Sequence, residues 1–559
     1  MNAIRSRRTR TAALTLALAG LSPAAGEAQE PAAPIAELDP VVARTVVAFY
    51  NASSTVRLLG DAVLPAGRTL VGDVAVLGAT LEVGGRIEGD VVVINGRLAL
   101  RPGAAIEGAV TTVGSVVEGQ DSARIAGGLV SHPEPLRYHL EADRIVYTPP
   151  EVEGEIAAGR EFGFGRTDFT VAVQRGYNRV EGLPIAAGPR IRLGDTNPTE
   201  ISGRVIYRTA GGLSLDEEAL GYTARVEQAI GGHERLSLWV SARSEIAPIE
   251  TRGLTDRENS LSTFVLHRDY RDHYEREGWS TGLTLTPRRS PMSLSLAYND
   301  EHHDPVPAAS PLSLFDNQED WRPQPAVATG DLQSLALRFR YDSRNEEEMP
   351  SSGWYAVAEI EQGIGGELVL PIGPDGSAPA TPLATTTDFT AGSLDIRRYA
   401  RLGRRSRLMT RVLAAGSLAD QPLPAQRQHV LGGEGTLPGY EPLSFDCGAR
   451  ERPTGAIGED PFFPYYGCDR AVLVQLEYEA LFPLGSILRR YFGAGVDLTN
   501  AAAWVLFFDA GRAWTELAER EGRGGGQDDF AADAGLGFRI GRLGVYWAFP
   551  LTGSGQGVN

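Results

Sequence analysis

Between Arg470 and Phe482 the chain reads RAVLVQLEYEALF, so that Val472, Val474, Leu476, Tyr478 and Ala480 alternate with Ala471, Leu473, Gln475, Glu477 and Glu479. One face is wholly apolar and the other carries carboxylates, and a period of two residues marks a strand. The pattern recurs upstream. Leu335, Leu337, Phe339 and Tyr341 oppose Ser334, Ala336, Arg338, Arg340 and Asp342, and Met292, Leu294, Leu296 and Tyr298 oppose Ser293, Ser295 and Ala297. Strands read in this way fall at 179–193, 199–209, 218–230, 233–245, 259–269, 275–287, 290–300, 332–343, 352–363, 387–402, 405–418, 469–481, 501–514, 529–540 and 542–551. Apolar residues on one side, with polar residues and arginines on the other, suit a barrel in a bilayer, where a charge on the lipid face costs about 2–4 kcal/mol at the midplane. No apolar run reaches the roughly 20 residues of a spanning helix. If the chain spans a membrane it must therefore do so as a closed sheet that pairs every backbone group.

Loop lengths orient the barrel. The links after the sixth, tenth and fourteenth strands are Arg288-Arg289, Gly403-Arg404 and Gly541, whereas those after the seventh, ninth, eleventh and thirteenth are long. Short periplasmic turns and long external loops are the rule for such barrels. The chain ahead of the barrel is then expected in the periplasm and the loop after the eleventh strand outside.

A different periodicity occupies the N-terminal part. Leu70-Val-Gly-Asp-Val74, Ile87-Glu-Gly-Asp-Val91, Ile106-Glu-Gly-Ala-Val110 and Ile125-Ala-Gly-Gly-Leu129 repeat at intervals that fit one triangular coil of a right-handed β-helix, whose stacked coils bury a continuous aliphatic core. Asp73 and Asp90 at the corners suggest calcium, but corner aspartates commonly bond local backbone, and no metal is assigned. Ahead of the repeats, Arg5, Arg7, Arg8 and Arg10 precede the apolar run Thr11 to Leu21 and small residues ending at Ala28, the pattern of an export signal. Asp39 and Pro40 read as the cap and first turn of a short helix. The expected division is a signal over 1–28, a linker and short capping helix over 29–53, a β-helix over 54–132, a linker with a lumenal or lead-in segment over 133–178, and a barrel over 179–559.

Composition narrows the partners. The 559 residues carry a formal charge of -18, and all 53 basic residues are arginine. An acidic chain with scattered arginines argues against nucleic acid; the expected surroundings are outer-membrane lipid and, through the β-helix, periplasmic or cell-envelope proteins. Cys447 and Cys468 lie in one loop of an exported chain and are expected to form a disulfide. No Gly-x-Ser-x-Gly, P-loop or His-Glu-x-x-His motif occurs, so neither an enzyme nor a cofactor is expected. Glu301-His302-His303-Asp304, read at the start of an external loop, is treated as solvated, not as a metal site, and Glu346-Glu347-Glu348 as a solvated periplasmic turn.

The loop Gly432-Gly-Glu-Gly-Thr-Leu-Pro-Gly-Tyr440, the strand Phe507-Phe-Asp-Ala-Gly511 and the run Asp342 to Trp354 together resemble the BamA/TamA superfamily of outer-membrane assembly and translocation barrels, and the repeats resemble a bactofilin-like domain. The resemblance implies sixteen strands, of which the last is expected to be missing here unless another pairing closes the sheet. It implies a sixth external loop that folds back into the lumen with an aliphatic-Arg-Gly-aromatic tip. The matching positions are Leu437, Pro438, Gly439 and Tyr440, so proline stands where the family has arginine, and proline carries neither charge nor donor. The acids that would meet that arginine correspond to Glu477 and Asp509, expected to face the lumen and to find a substitute cation such as Arg411 or Arg470. Two function classes follow: an assembly, translocation or export barrel, or an anchor tethering a β-helix scaffold, with a passive pore behind both.

Overall fold

The computed structural model describes residues 15–17, 38 and, with interruptions, 40–552; the longest stretches left out within that range are 148–154, 370–386, 448–461, 483–501 and 516–529. Asp39 lies outside the described residues.

The repeats form a solenoid of three parallel sheets. Val56 stacks on Val74, Val74 on Val91, Val91 on Val110 and Val110 on Leu129, so that each coil sits in register on the last. Val74, Val76, Leu81, Val83, Ile87, Val91, Leu98 and Ile106 are buried inside the triangle. The recurrent glycine is dictated by the stacking of corner on corner: a Cβ at Gly89 would lie 2.3 Å from the Gly72 carbonyl oxygen, and one at Gly108 2.4 Å from that of Gly89. The corner aspartates bond backbone, with Asp73 accepting from the Asp90 amide at 2.9 Å and Asp90 from the Ala109 amide at 2.7 Å.

Val74–Leu77 and Val91–Ile94 are buried on both faces, which accounts for their unbroken apolar character. Their outward residues Ala75, Leu77, Val92 and Ile94 pack beneath helix α1 (Pro40–Asn51) and a hairpin of Tyr138–Glu141 with Arg144–Tyr147. Helix α1 thus lies along one flank of the solenoid instead of capping a coil end, because its apolar stripe of Ala43, Val46 and Tyr50 has its complement on that flank. The segment expected to be a linker from Pro133 onward contributes Leu136, Tyr138 and Ile145 to the same core.

The second body is a closed barrel. Sixteen strands from Glu155–Phe162 to Leu543–Pro550 pair consecutively and antiparallel, and Thr15–Ala17 pairs antiparallel with Gly544 to Tyr546. Large apolar side chains alternate on the outside: Leu294, Leu296, Leu335, Leu337, Val474, Leu476, Tyr478, Trp504, Leu506 and Phe508 are all exposed, while Ser293, Ala297, Gln475, Glu479 and Asp509 are buried in the lumen. Exposed apolar area of this extent is a lipid-facing belt.

The sequence reading departs from this barrel in four places. Residues 259–269 are not a strand: Asp256–Leu266 is helix α2, started by a capping box in which Thr255 accepts the Glu258 amide and Glu258 accepts the Thr255 amide at 2.8 Å. The strand placed at 179–193 begins at Pro184, since Asn178 closes a tight turn by accepting the amides of Val180 and Glu181 at 3.0 and 2.8 Å. Gly165–Val173 is a strand ahead of it, and Glu155–Phe162 another. Counted from Gly165–Val173 there are fifteen strands, and the last place is filled by a different pairing: Thr15–Ala17, inside the expected signal, and Glu155–Phe162 join the first strand to the last. Finally, Glu301 to Asp304 belong to the strand Met292–Pro305 and not to the loop after it.

In the full chain, Ile94→Ala should destabilise the solenoid by about 2–5 kcal/mol. Val63→Ala, at a position 65% exposed, should leave the same denaturation midpoint nearly unchanged.

Candidate functional site

The long link between Ser406–Ser417 and Arg470–Phe482 folds back into the barrel, and three sets of contacts hold it there. At its base, Leu423 donates its amide to Asp469 at 2.8 Å, and His429 exchanges both backbone bonds with Cys468 at 2.8 and 2.7 Å. Cys447 and Cys468 are joined as a disulfide that closes the same hairpin. In its middle, Arg427 reaches across the lumen to Glu361 at 2.7 Å and to the Tyr274 hydroxyl at 3.1 Å, and Gln426 bonds His303 at 2.8 Å. His303 and Glu301, expected to be solvated, are buried in this network.

The tip is a tight turn in which Thr436 donates to the Gly433 carbonyl at 3.0 Å and its hydroxyl accepts the Gly432 amide at 3.0 Å. Gly432 and Gly433 have φ of 109° and 98°, a region that favours glycine. The turn aims Leu437 into a pocket formed by Leu413, Leu431, Leu473, Ala513, Ala531 and the disulfide. Around that anchor the tip meets a row of polar side chains on neighbouring strands. Arg411, Gln475, Asp509 and Asp533 stand directly opposite one another in register across four strands. Arg411 donates to Gln475 at 2.9 Å and is itself held by Asp395 at 2.8 Å. Gln475 and Asp533 flank Asp509 on the two neighbouring strands.

Three residues of the turn each use one member of this row. Arg411 donates to the Gly435 carbonyl at 3.1 Å, Gln475 to the Thr436 carbonyl at 3.0 Å, and the Gly439 amide donates to Asp533 at 2.7 Å. A Cβ at Gly439 would lie 2.7 Å from the Asp533 Cβ, so only glycine allows this approach. The Tyr440 hydroxyl donates to the Ala532 carbonyl at 3.0 Å. The tip is therefore seated by backbone groups, which suits a turn with proline at 438.

The two expected acids part company. Asp509 is buried beneath the tip, whereas Glu477 stands one lumenal position further along its strand, nearer the short-turn end. The ion pairs at that end fall to Glu479, which binds Arg407 and Arg539. Arg470 bonds the Ser417 carbonyl at 3.1 Å and takes no part in the row. Asp533 and Gln475 were missed from sequence, although the alternation Ala531, Asp533, Gly535, Gly537 and Arg539 places a carboxylate on the lumenal face. No group of histidine, cysteine and acidic residues fit to hold a metal occurs among the described residues.

The loop is also tied to the segment ahead of α2. Glu250 pairs with Arg252 at 3.1 Å and lies 3.5 Å from His429. Burial raises the Glu250 carboxyl, but Arg252 and His429 outweigh burial and hold it at about 2. Burial pushes His429 below its usual value.

A family model described as the Omp85 superfamily domain matches residues 255–554. Among solved structures the chain is similar to BamA from Haemophilus ducreyi lacking POTRA domains 1-3, at 15% identity over 71% of this chain and 68% of that one, with a TM-score of 0.43. It is also similar to CdiB from Escherichia coli, at 11% identity over 75% and 64% of the two chains and a TM-score of 0.30. No curated protein matches.

Two outcomes test this geometry. Asp533→Ala removes the acceptor of the part-buried Gly439 amide, which should cost about 1 kcal/mol and speed protease cleavage of the loop, with Gly439→Val faster still by steric exclusion. The Glu250 contact has a depressed folded-state value, so its contribution is present above its ordinary value of 4.5 and is lost as pH falls toward about 2. Loop protection should weaken across that window in the parent and not in Glu250→Gln.

Proposed function

Since this chain belongs to the Omp85 superfamily, we propose that it is an outer-membrane barrel that assembles, translocates or exports polypeptides at that membrane, with its solenoid in the periplasm. The observation that carries this reading is the seating of the Gly435 to Gly439 turn on Arg411, Gln475 and Asp533 of the lumenal row. A passive pore needs an open lumen, and here a disulfide-braced loop folds into it and is held by ordered contacts. The loop retains its place although the arginine position is proline, because backbone amides and carbonyls take over the bonding. No step in this role calls for a catalytic group or a cofactor.

A second reading, a structural anchor, is favoured by a separate observation. Arg137 and Tyr138 bond the turn between Asp342 and Gly353, which fastens the solenoid to the barrel. In the anchor reading the solenoid engages cell-envelope proteins and the barrel only holds it at the membrane.

Depletion of the protein, followed by quantitative proteomics of outer membranes and of the medium, separates the two. The assembly or export role predicts that a defined set of outer-membrane or exported proteins falls in abundance, and that a chain carrying Asp533→Ala restores it only partly. Unchanged abundances together with a detached or misplaced periplasmic layer would favour the anchor.

A further inference from the structure

A cavity of about 440 Å³ remains in the lumen, lined by strands from Leu220–Ile230 to Ser406–Ser417 together with Arg427, Gln428, His429 and Gly435 of the inward-folded loop. Ten arginines line it against five carboxylates, a formal excess of five positive charges. The carboxylates present are shared. Asp395 binds Arg397 at 2.6 Å and Arg411 at 2.8 Å, two arginines that stand directly opposite each other in register. Glu301 meets Arg243 at 3.2 Å, Arg276 at 3.6 Å and Arg427 at 3.8 Å. Glu227, Glu245 and Asp342, which hold Arg225, Arg276 and Arg340, are not part of the lining, and neither is Glu250, the partner of Arg252. The cavity thus meets guanidinium groups whose acids stand outside it. A guanidinium carries five donors and a carboxylate roughly four acceptor sites, so sharing leaves donors over. The Nε of buried Arg276 has no hydrogen-bond partner among the described residues.

One stretch of the wall adds hydroxyl groups to this charge. Arg338 and Arg340 pair in register with Ser295 and Ser293 of Met292–Pro305, and Thr284 stands opposite Ser295 on the strand before it. All five line the cavity. Trp239 donates its indole N–H to Thr284 at 3.2 Å and carries Arg225 over its ring, 4.3 Å from the centroid, so packing as well as charge positions that arginine. Fixed guanidinium forks beside short hydroxyls supply donors that match the closely spaced oxygens of a phosphate group. The strands stand between this cavity and the lipid, so a ligand reaches it through the lumen and not as a membrane headgroup.

We propose that the cavity is a binding site for a soluble phosphoanion, a di- or triphosphate or a phosphate ester, held by Arg338, Arg340 and the hydroxyls of Ser293, Ser295 and Thr284. The site needs only the barrel and its loop, and it stands or falls separately from the assembly role.

Calorimetric titration of inorganic pyrophosphate into the full chain, reconstituted in phosphatidylcholine nanodiscs, tests the site. Saturable binding is expected in the parent. Ser295→Asp sets a carboxylate opposite Arg338, and Arg338→Gln removes a charge from the lining; each should weaken binding about tenfold or more. Arg68→Gln, at an exposed position of the solenoid, should bind as the parent does. Heat-modifiable migration matching the parent's establishes that each variant has folded, and Ser295→Asp, which removes no arginine, decides the case if Arg338→Gln does not fold. Adding phosphatidylglycerol to the nanodiscs separates a soluble ligand from a headgroup, and the affinity for pyrophosphate should not change. The proposal is overturned if the parent shows no saturable binding, if Ser295→Asp binds as tightly as the parent, if Arg68→Gln loses as much, or if phosphatidylglycerol competes.

Discussion

Everything in the barrel follows from one constraint: a strand crossing hydrocarbon cannot leave an amide or carbonyl without a partner. The sheet must close, and closing it sends side chains alternately to lipid and to lumen. Leucines, valines and aromatics gather outside, and many of the charges on the spanning strands are driven into a narrow interior. There arginines and carboxylates must find each other, and they do so in chains: Asp395 holds Arg411, Arg427 spans to Glu361, and Arg276 is shared between Glu245 and Glu301. A buried ion pair is at best marginally favourable, whereas breaking one is costly, so the network specifies an arrangement more than it adds stability.

The lumenal loop exploits that arrangement. Its tip brings backbone donors and acceptors to a wall already organised by side chains, so each bond replaces a hydrated group by a paired one. The same logic operates at the opposite end. Glu479 gathers Arg407 and Arg539, and these spend their remaining donors on the turn beneath them. The solenoid and the external segments are thereby connected to a single polar interior rather than to independent surfaces.

Strand positions from Thr199 onward, apart from 259–269, were legible because lipid and lumen impose a period of two on nearly every residue, and the coil repeats because corner glycines and inward aliphatics recur with each turn. Helix α2 was misread since the Thr255 to Glu258 box outweighs a locally alternating pattern, a signal that was present in the sequence. Closure by Thr15–Ala17 was not legible, since its pairing with Gly544 to Tyr546 joins segments so distant that it leaves no periodic trace. At the tip, Leu437, Gly439 and Tyr440 could be placed from the motif, whereas Asp533 could not, because its role depends on which strand lies beside Ala502–Trp514 and in what register. The place of α1 on a flank depended on the outward residues Ala75, Leu77, Val92 and Ile94, whose apolar character already implied a cover.

The central claim is that the Leu437 to Tyr440 tip rests on the lumenal wall in the membrane-embedded protein. Photo-cross-linking from p-benzoylphenylalanine in place of Tyr440, performed in native membranes and mapped by mass spectrometry, tests it directly. The tyrosine hydroxyl lies 3.0 Å from the Ala532 carbonyl and 2.8 Å from the Thr552 hydroxyl. The account predicts cross-links within the same chain to residues around Ala532 and Thr552. Cross-links only to lipid, to solvent-exposed loops or to other proteins would contradict it.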